Sequence, residues 1–550
     1  MRIFPALFAM LAVVVAYGTR LLPIEFGQLS ASAAAAIAFA SNLYFWRTSD
    51  YFSPAAELMP LLHTWSLGVE EQFYIFYPMI LVVLARWRSR LRWTIPALAI
   101  ASFALGWIAG LSSPVATFYL LPFRAWELLI GAAVAVGAFP KVGRPRHRSL
   151  LAIVGALLVV AGILLVRSGA GFPVPLAAAP ALGAALIIAY AEATPVGKAL
   201  SLTPVRWIGR ISYSLYLWHW PIIAFYRTET GIALDGFETA GLVVASVVAG
   251  ALSFLLVEQP AMRRFRSAPA SPKVVAVGLT GVVLGSGAIL ALAATAPVWR
   301  SIDPAIARIA GYADYLARPE YQYQFRRGPC FRGEAQADLP FDPDACVKPD
   351  PARPDMVVVG DSYAAQYWRA FALRYRQRNV MQATASGCRP VVGEPGEARC
   401  REVVDHVLGP LLNSGALTTV VLAGRWLDED LAYLPATIRR IRAAGAVPAV
   451  IGPVPEYQGE FPAILARALL RRDLGHIEAW RVRVRDREAL DRRMEALVRD
   501  AGGVYLSPMQ ILCGSGTCLR QTADGAPVQF DYGHLTLAGS RWVVARMPAL

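Results

Sequence analysis

From about Ile3 to Pro297 the chain runs as a succession of apolar stretches, each close to the roughly 20 residues that a helix needs to cross a bilayer, parted by short basic loops. The pattern predicts nine spans, at 4–22, 66–86, 94–111, 116–138, 150–167, 174–191, 211–227, 238–257 and 274–295. A tenth apolar patch, 30–46, is predicted as a re-entrant or interfacial segment. Were it to cross, the loop with Arg86, Arg88, Arg90 and Arg92 would lie opposite Arg2, against the tendency of basic loops to stay in the cytoplasm. With that choice, Arg2, the Arg86–Arg92 cluster and the loops 141–148, 198–210 and 263–273 share the cytoplasmic side. An odd number of spans then delivers the rest of the chain outside.

Beyond Trp299 the period changes. Short β-branched runs, MVVVG (356–360), TTVVLAG (418–424) and AVPAVIG (446–452), alternate with amphipathic stretches at 364–378, 431–444 and 476–501. Such alternation predicts a parallel sheet flanked by helices. The fold class expected is therefore a polytopic α-helical membrane domain over 1–297 and a three-layer α/β domain over 355–550. Between them lies an extension, 298–354, whose Tyr312, Tyr315, Tyr321 and Tyr323 are expected to pack against the sheet.

Composition agrees: 56% hydrophobic and 17% charged residues exclude an ordinary soluble protein. The net charge of +14 sits in the short loops, so membrane topology accounts for it and no nucleic-acid partner is implied. All six cysteines fall in the C-terminal part, which points to disulfides made in an oxidising compartment, the periplasm or the cell exterior. Proximity suggests Cys330 with Cys346, Cys388 with Cys400 and Cys513 with Cys518, although six cysteines admit fifteen pairings. The histidines are scattered without metal-ligand spacing, so no metal is expected.

Ionisable groups at bilayer depth cost a few kcal/mol each and usually face a cavity, a partner or a pathway. The candidates are His63, Glu70 and Glu71 in HTWSLGVEEQFYIFYP, Arg124 and Glu127 in FRAWELLIG, His219 in GRISYSLYLWHWP, and Glu258 in VEQPAMRRFR. Arg124 and Glu127, three residues apart, also read as an internal ion pair.

In the C-terminal part, MVVVG is followed by Asp361-Ser362, placing Ser362 where a buried strand ends and a helix begins. There a hydroxyl is exposed and helix-terminal amides can stabilise an anion. Close to the chain end, FDYGHLTLAGSRWV holds Asp531 and His534 three residues apart. That spacing lets a carboxylate fix an imidazole that takes a serine proton. Ser362 is expected as nucleophile, His534 as general base and Asp531 as its orienter, with the Ser362 amide an oxyanion donor.

HTWSLGVEEQFY and SYSLYLWHWP resemble the signatures of the acyltransferase 3 family of membrane acyltransferases. Gly-Asp-Ser after an early strand with Asp-x-x-His near the C-terminus resembles the SGNH hydrolase and acyltransferase superfamily. The whole resembles the branch in which the two are fused. That resemblance implies O-acylation, most often O-acetylation, of a bacterial surface glycan such as an O-antigen, an exopolysaccharide or peptidoglycan. It implies an acyl-coenzyme A donor such as acetyl-CoA, used from the cytoplasmic side of the plasma membrane, with no bound cofactor. It also makes Gly387 a second oxyanion amide, although Cys388 beside it equally makes this a disulfide loop. The superfamily's third-block asparagine is missing; TTVVLAG ends in Arg425-Trp426. Members of the family begin with two further spans bearing an arginine and a histidine of the acyl-transfer step. Here Arg2-Ile3-Phe4-Pro5 matches the end of the turn that follows them, so an N-terminal truncation is expected. Two rivals share these residues: an esterase that gives the acyl group to water, and a transporter with a passive outer domain, for which Ser362→Ala would be silent.

Overall fold

The computed structural model describes residues 3–48, 54–84, 90–110, 113–165, 174–231, 234–265, 272–299, 302–328, 330–333, 340–393, 398–481, 484–514 and 516–550. Arg2, Arg86, Arg88 and much of the 263–273 loop lie outside them. The chain forms two compact units, Met1–Ser301 and Ile302–Leu550.

The first unit is helical. Among the described residues, five helices are long and apolar enough to cross a membrane: Thr64–Leu84, Leu91–Gly110, Pro114–Ala135, Pro145–Leu165 and Gly236–Arg264. Three of the other expected spans coincide with shorter apolar helices, Phe4–Gly18, Ala178–Tyr190 and Thr280–Thr295. The fourth falls within Thr203–Thr230, whose first turns carry Arg206 and Arg210. The 30–46 patch is two helices, Pro23–Ile37 and Ser41–Thr48, broken by a turn in which Phe39 takes φ +52°. Fifteen residues of helix reach only ~22 Å, short of the ~30 Å hydrocarbon layer. Leu29, Ala33 and Ile37 of that helix pack against Leu7, Met10 and Leu11.

Outward faces of the long helices carry exposed Val82, Ile163, Leu165 and Leu256. So many large apolar side chains on one surface are at home against lipid and costly in water. The first unit is a multi-pass membrane unit.

The second unit is built on a six-stranded, wholly parallel sheet: β1 (Phe331–Arg332), β2 (Asp355–Gly360), β3 (Asn379–Ala385), β4 (Leu417–Ala423), β5 (Val447–Ile451) and β6 (Val504–Leu506), in the order β1-β3-β2-β4-β5-β6. Every residue of β2 is buried, as a central parallel strand covered on both faces requires. Its side chains alternate between two cores. Val357 and Val359 join Met381, Val420 and Leu422 under the helices Leu434–Ala443 and Val484–Asp500. Met356 and Val358 join Val421, Ala449 and Ile451 under the helices Ser362–Arg374 and Leu537–Arg546.

After β2 the chain adds β3 on one side and then returns to add β4 on the other. The carboxyl end of β2 is thus the topological switch point, where parallel sheets open a crevice. Residues 302–354 belong to this unit: β1 pairs with β3, matching Phe331 with Thr384. Tyr315 and Tyr321 are buried in an aromatic cluster with Phe325 and Phe530, whereas Tyr323 stays exposed. The disulfides are Cys330–Cys346, Cys388–Cys400 and Cys513–Cys518, with Cα separations of 5.4, 5.1 and 4.0 Å.

Candidate active site

Gly360, at the end of β2, has φ +145°, and a Cβ there would fall 1.7 Å from the Ala423 carbonyl oxygen of β4. Only glycine turns the chain so sharply beside a paired strand. Asp361 follows as the helix cap, its Oδ1 accepting from the Tyr363 amide at 2.7 Å and its Oδ2 from the Arg425 amide at 2.8 Å. Burial pushes the Asp361 carboxyl up to about 6 against these two hydrogen bonds. The carboxyl ends of β2 and β4 are therefore stitched together directly behind Ser362, the first residue of its helix.

Ser362 Oγ lies 2.8 Å from His534 Nε2, and His534 Nδ1 lies 2.7 Å from Asp531 Oδ2. The other carboxylate oxygen, Oδ1, accepts from the amides of Gly533 and His534 at 2.8 and 2.6 Å. Two amides thus fix the orientation of this carboxylate. It accepts the Nδ1 proton, so Nε2 is left as acceptor for the serine hydroxyl. Burial on its own would lower the imidazole pKa; the charge and hydrogen bond of Asp531, with Asp361 and Glu456 farther off, outweigh it and hold His534 above its ordinary value. Aromatic rings cage the imidazole: Tyr363 at 4.4 Å and Phe530 at 5.7 Å between centroids.

Residues that sequence reasoning missed brace this loop from the extension. Gln324 is fully buried, and its Nε2 lies 3.0 Å from the Gln366 carbonyl, 3.1 Å from the Leu535 carbonyl and 3.1 Å from Ser540 Oγ. Tyr315 donates its hydroxyl to Gln324 Oε1 at 2.7 Å and accepts from the Leu537 amide at 3.0 Å. Gln366 Oε1 in turn takes the Leu535 amide at 2.6 Å. No local pattern announces contacts across some two hundred residues. Replacing Gln324 by Leu strands buried carbonyls and is expected to cost about 2–3 kcal/mol, lowering the unfolding midpoint of the second unit by roughly 4–10 °C in calorimetry.

A second unforeseen cluster flanks the histidine. Glu456, 2% exposed, receives the Arg425 guanidinium at 3.2 Å from Nε and 3.0 Å from Nη2, and Arg487 Nη2 at 2.5 Å. Arg425 lies over the Tyr532 ring, 5.1 Å from its centroid, and Tyr532 is 5.9 Å from the His534 ring. Trp426 is buried, its indole donating to the Ile451 carbonyl at 2.7 Å. Gly387 sits in the turn after β3 with φ +72°, one residue before the Cys388–Cys400 disulfide.

In the membrane unit, His63 is buried with its ring 5.2 Å from Tyr216 and 5.6 Å from His219. Tyr216 donates to the His63 carbonyl and lies 2.8 Å from Ser66 Oγ, and His219 Nδ1 lies 2.7 Å from the Tyr216 carbonyl. Arg124 and Glu127 form an ion pair at 3.0 Å, with the guanidinium 5.2 Å from the centre of Trp65. Glu258 is buried and accepts from Ser214 Oγ at 2.8 Å, while Glu70 accepts from Tyr74 at 2.7 Å and Glu71 is partly buried beside it. The two histidines come together, Arg124 pairs with Glu127, and Glu70 and Glu258 each accept from a hydroxyl elsewhere.

The sequence matches the family model described as an acyltransferase domain over residues 1–258, and that described as an SGNH domain fused to AT3 domains over 329–549. BcsY of Komagataeibacter xylinus, a membrane-bound transacylase by name, is 32% identical over 294 residues, which are 53% of this chain and 75% of BcsY. The chain is therefore an acyltransferase of the membrane-bound class. It belongs to the acyltransferase 3 family, in the branch that carries a fused SGNH domain. The peptidoglycan O-acetyltransferase OatA of Listeria monocytogenes is 30% identical over 47% of this chain and 44% of its own length. The O-acetyltransferase OatA of Staphylococcus aureus is 30% identical over 41% of this chain and 40% of its own length, so the match spans less than half of either protein. The periplasmic domain of a lipopolysaccharide acetyltransferase from Salmonella ser. Paratyphi A aligns at 21% identity with a TM-score of 0.35, over 43% of this chain and 94% of that domain.

Proposed function

We propose that this chain takes an acyl group, acetyl above all, from acyl-coenzyme A at the cytoplasmic face, passes it through a nine-span membrane unit, and transfers it from Ser362 to a hydroxyl of a bacterial surface polysaccharide. The observation that carries this reading is the unbroken hydrogen-bond chain from Ser362 through His534 to Asp531 at the carboxyl end of β2. His534 takes the serine proton as Oγ attacks the acyl carbonyl, and the amides of Ser362 and Gly387 face the oxyanion. The proton passes to the leaving group, giving acyl-Ser362. His534 then deprotonates the sugar hydroxyl, which displaces Ser362.

Three disulfides and the distribution of basic loops favour a second unit outside the cytoplasm. Alkaline phosphatase fused just after Trp299 should accordingly be active, and a silent fusion would reverse the topology. The test of function is NMR of surface polysaccharide from cells lacking the gene. The intact chain should restore O-acetyl groups and Ser362→Ala should not; acetate restored by both would make the second unit passive, and acetate lost on expressing the intact chain would make it a deacetylase.

The raised His534 pKa sets the acid limit of the reaction, because only the neutral imidazole accepts the serine proton. Activity on a chromogenic acetyl ester should fall as pH drops through a value above the usual 6.5 of histidine. Asp531→Asn removes the charge that raises it, so the surviving activity should keep its acid limb at lower pH. An unmoved limb would mean that another group sets it.

A further inference from the structure

The arginine-glutamate cluster beside the histidine is not used by the chemistry above, yet it stands against the histidine loop. Ala423 of β4 pairs with Gly360 of β2, so Arg425 and Ser362 each stand two residues beyond a matched pair on neighbouring strands. The Arg425 side chain is fixed in place: Glu456 holds it by two hydrogen bonds and Tyr532 lies beneath it. Glu456 is itself close to the histidine loop, since a Cβ on Gly533 would meet its Cγ at 3.4 Å.

Two guanidiniums share that one buried carboxylate. Arg487, its side chain 10% exposed, already neutralises Glu456 from the interior, whereas the Arg425 side chain is 36% exposed. Structural need for the second cation is thus small, and its fixed, half-open position is that of a ligand-binding fork. In the second half of the reaction the acceptor hydroxyl must give its proton to His534 Nε2 while its oxygen bonds to the acyl carbon and the bond from that carbon to Ser362 Oγ breaks, Oγ regaining the proton from His534. Groups flanking His534 therefore border the acceptor oxygen in this half of the reaction, as they border the leaving group in the first.

We infer that Arg425 is the acceptor-side specificity residue: its guanidinium hydrogen-bonds an oxygen substituent, a carboxylate, phosphate or acetamido carbonyl, beside the sugar hydroxyl that receives the acyl group. This rests on the reading that Ser362 hands its acyl group to a glycan. Such a fork would leave formation of acyl-Ser362 largely to the triad and act on its discharge to sugar.

The test introduces Arg425→Gln at the chromosomal gene and measures two quantities in the same acid-quenched cells: O-acetyl groups on the surface glycan by NMR, and acetyl occupancy of Ser362 by peptide mass spectrometry. Glycan acetate should fall at least about tenfold, the size of a lost charged hydrogen bond, while Ser362 occupancy is no lower than in the parent. Arg425→Lys keeps a cation beside Glu456 but not the planar fork, and should separate the two signals in the same way. A fall of less than tenfold, or occupancy that drops in step with acetate in both variants, overturns the inference. Parent cells with acetylated glycan and no acyl group on Ser362 would instead overturn the function proposed for the site.

Discussion

His534→Ala is expected to reduce transfer of acetate to the surface glycan by about a thousandfold or more, with little change in the stability of the second unit. Without the imidazole, Ser362 Oγ loses the acceptor 2.8 Å away and must attack as a neutral alcohol. Asp531 is not left bare by the change. The backbone amides of Gly533 and His534 still hold its Oδ1, and they persist in the alanine variant. The residues act as a unit, so Ser362→Ala and the double variant should be no more impaired than His534→Ala by more than about tenfold. A double variant that is worse by the product of the two single losses would show that serine and histidine serve different steps.

The second large effect is on folding. Gly360→Ala should destabilise the second unit by more than about 4 kcal/mol, because the new Cβ would lie 1.7 Å from the Ala423 carbonyl oxygen in a backbone conformation that L side chains avoid. The clash is with backbone, not with the movable end of a side chain, so relief means parting β2 from β4. A domain with a total stability of about 5–15 kcal/mol has little left after such a loss. The expected result is a fall of at least about 8 °C in the unfolding midpoint, or failure to accumulate. Gly387→Ala, where φ is also positive but open space surrounds the position, should cost far less.

The contrast between these positions shows what the sequence could and could not convey. Ser362, Asp531 and His534 were legible because each half of the constellation is local: a buried β-branched run ending in Gly-Asp-Ser, and a carboxylate three residues before a histidine. The strand-end rule placed Ser362, and the resemblance to the SGNH superfamily implied that the two halves meet. The hydrogen bonds of Gln324 and Tyr315 were not legible, because a glutamine and a tyrosine in a helical turn give no sign of the Leu535 carbonyl and Leu537 amide they meet far along the chain. Arg425 registered only as a missing asparagine; its meaning depends on Glu456, whose place after β5 is a matter of three dimensions. β1 escaped for another reason, being two residues long and so without a period to detect.

In the membrane unit, hydropathy found where the apolar segments are. Among the described residues five helices are both long and apolar enough to cross, and the 30–46 patch is divided at Phe39. Hydropathy windows average over such breaks, whereas backbone geometry does not. The pairing of Arg124 with Glu127 followed from helical spacing alone; the approach of His63 to His219 joins segments 156 positions apart in the numbering, and no local spacing carries it.

The measurement that bears most directly on the account is acid-quenched peptide mass spectrometry of Ser362 in cells actively modifying their surface polysaccharide. The account predicts an acetyl ester on Ser362 that is absent from the His534→Ala protein. Surface acetate delivered in full by a Ser362→Ala protein, with no acyl group found at this site in the parent, would contradict it.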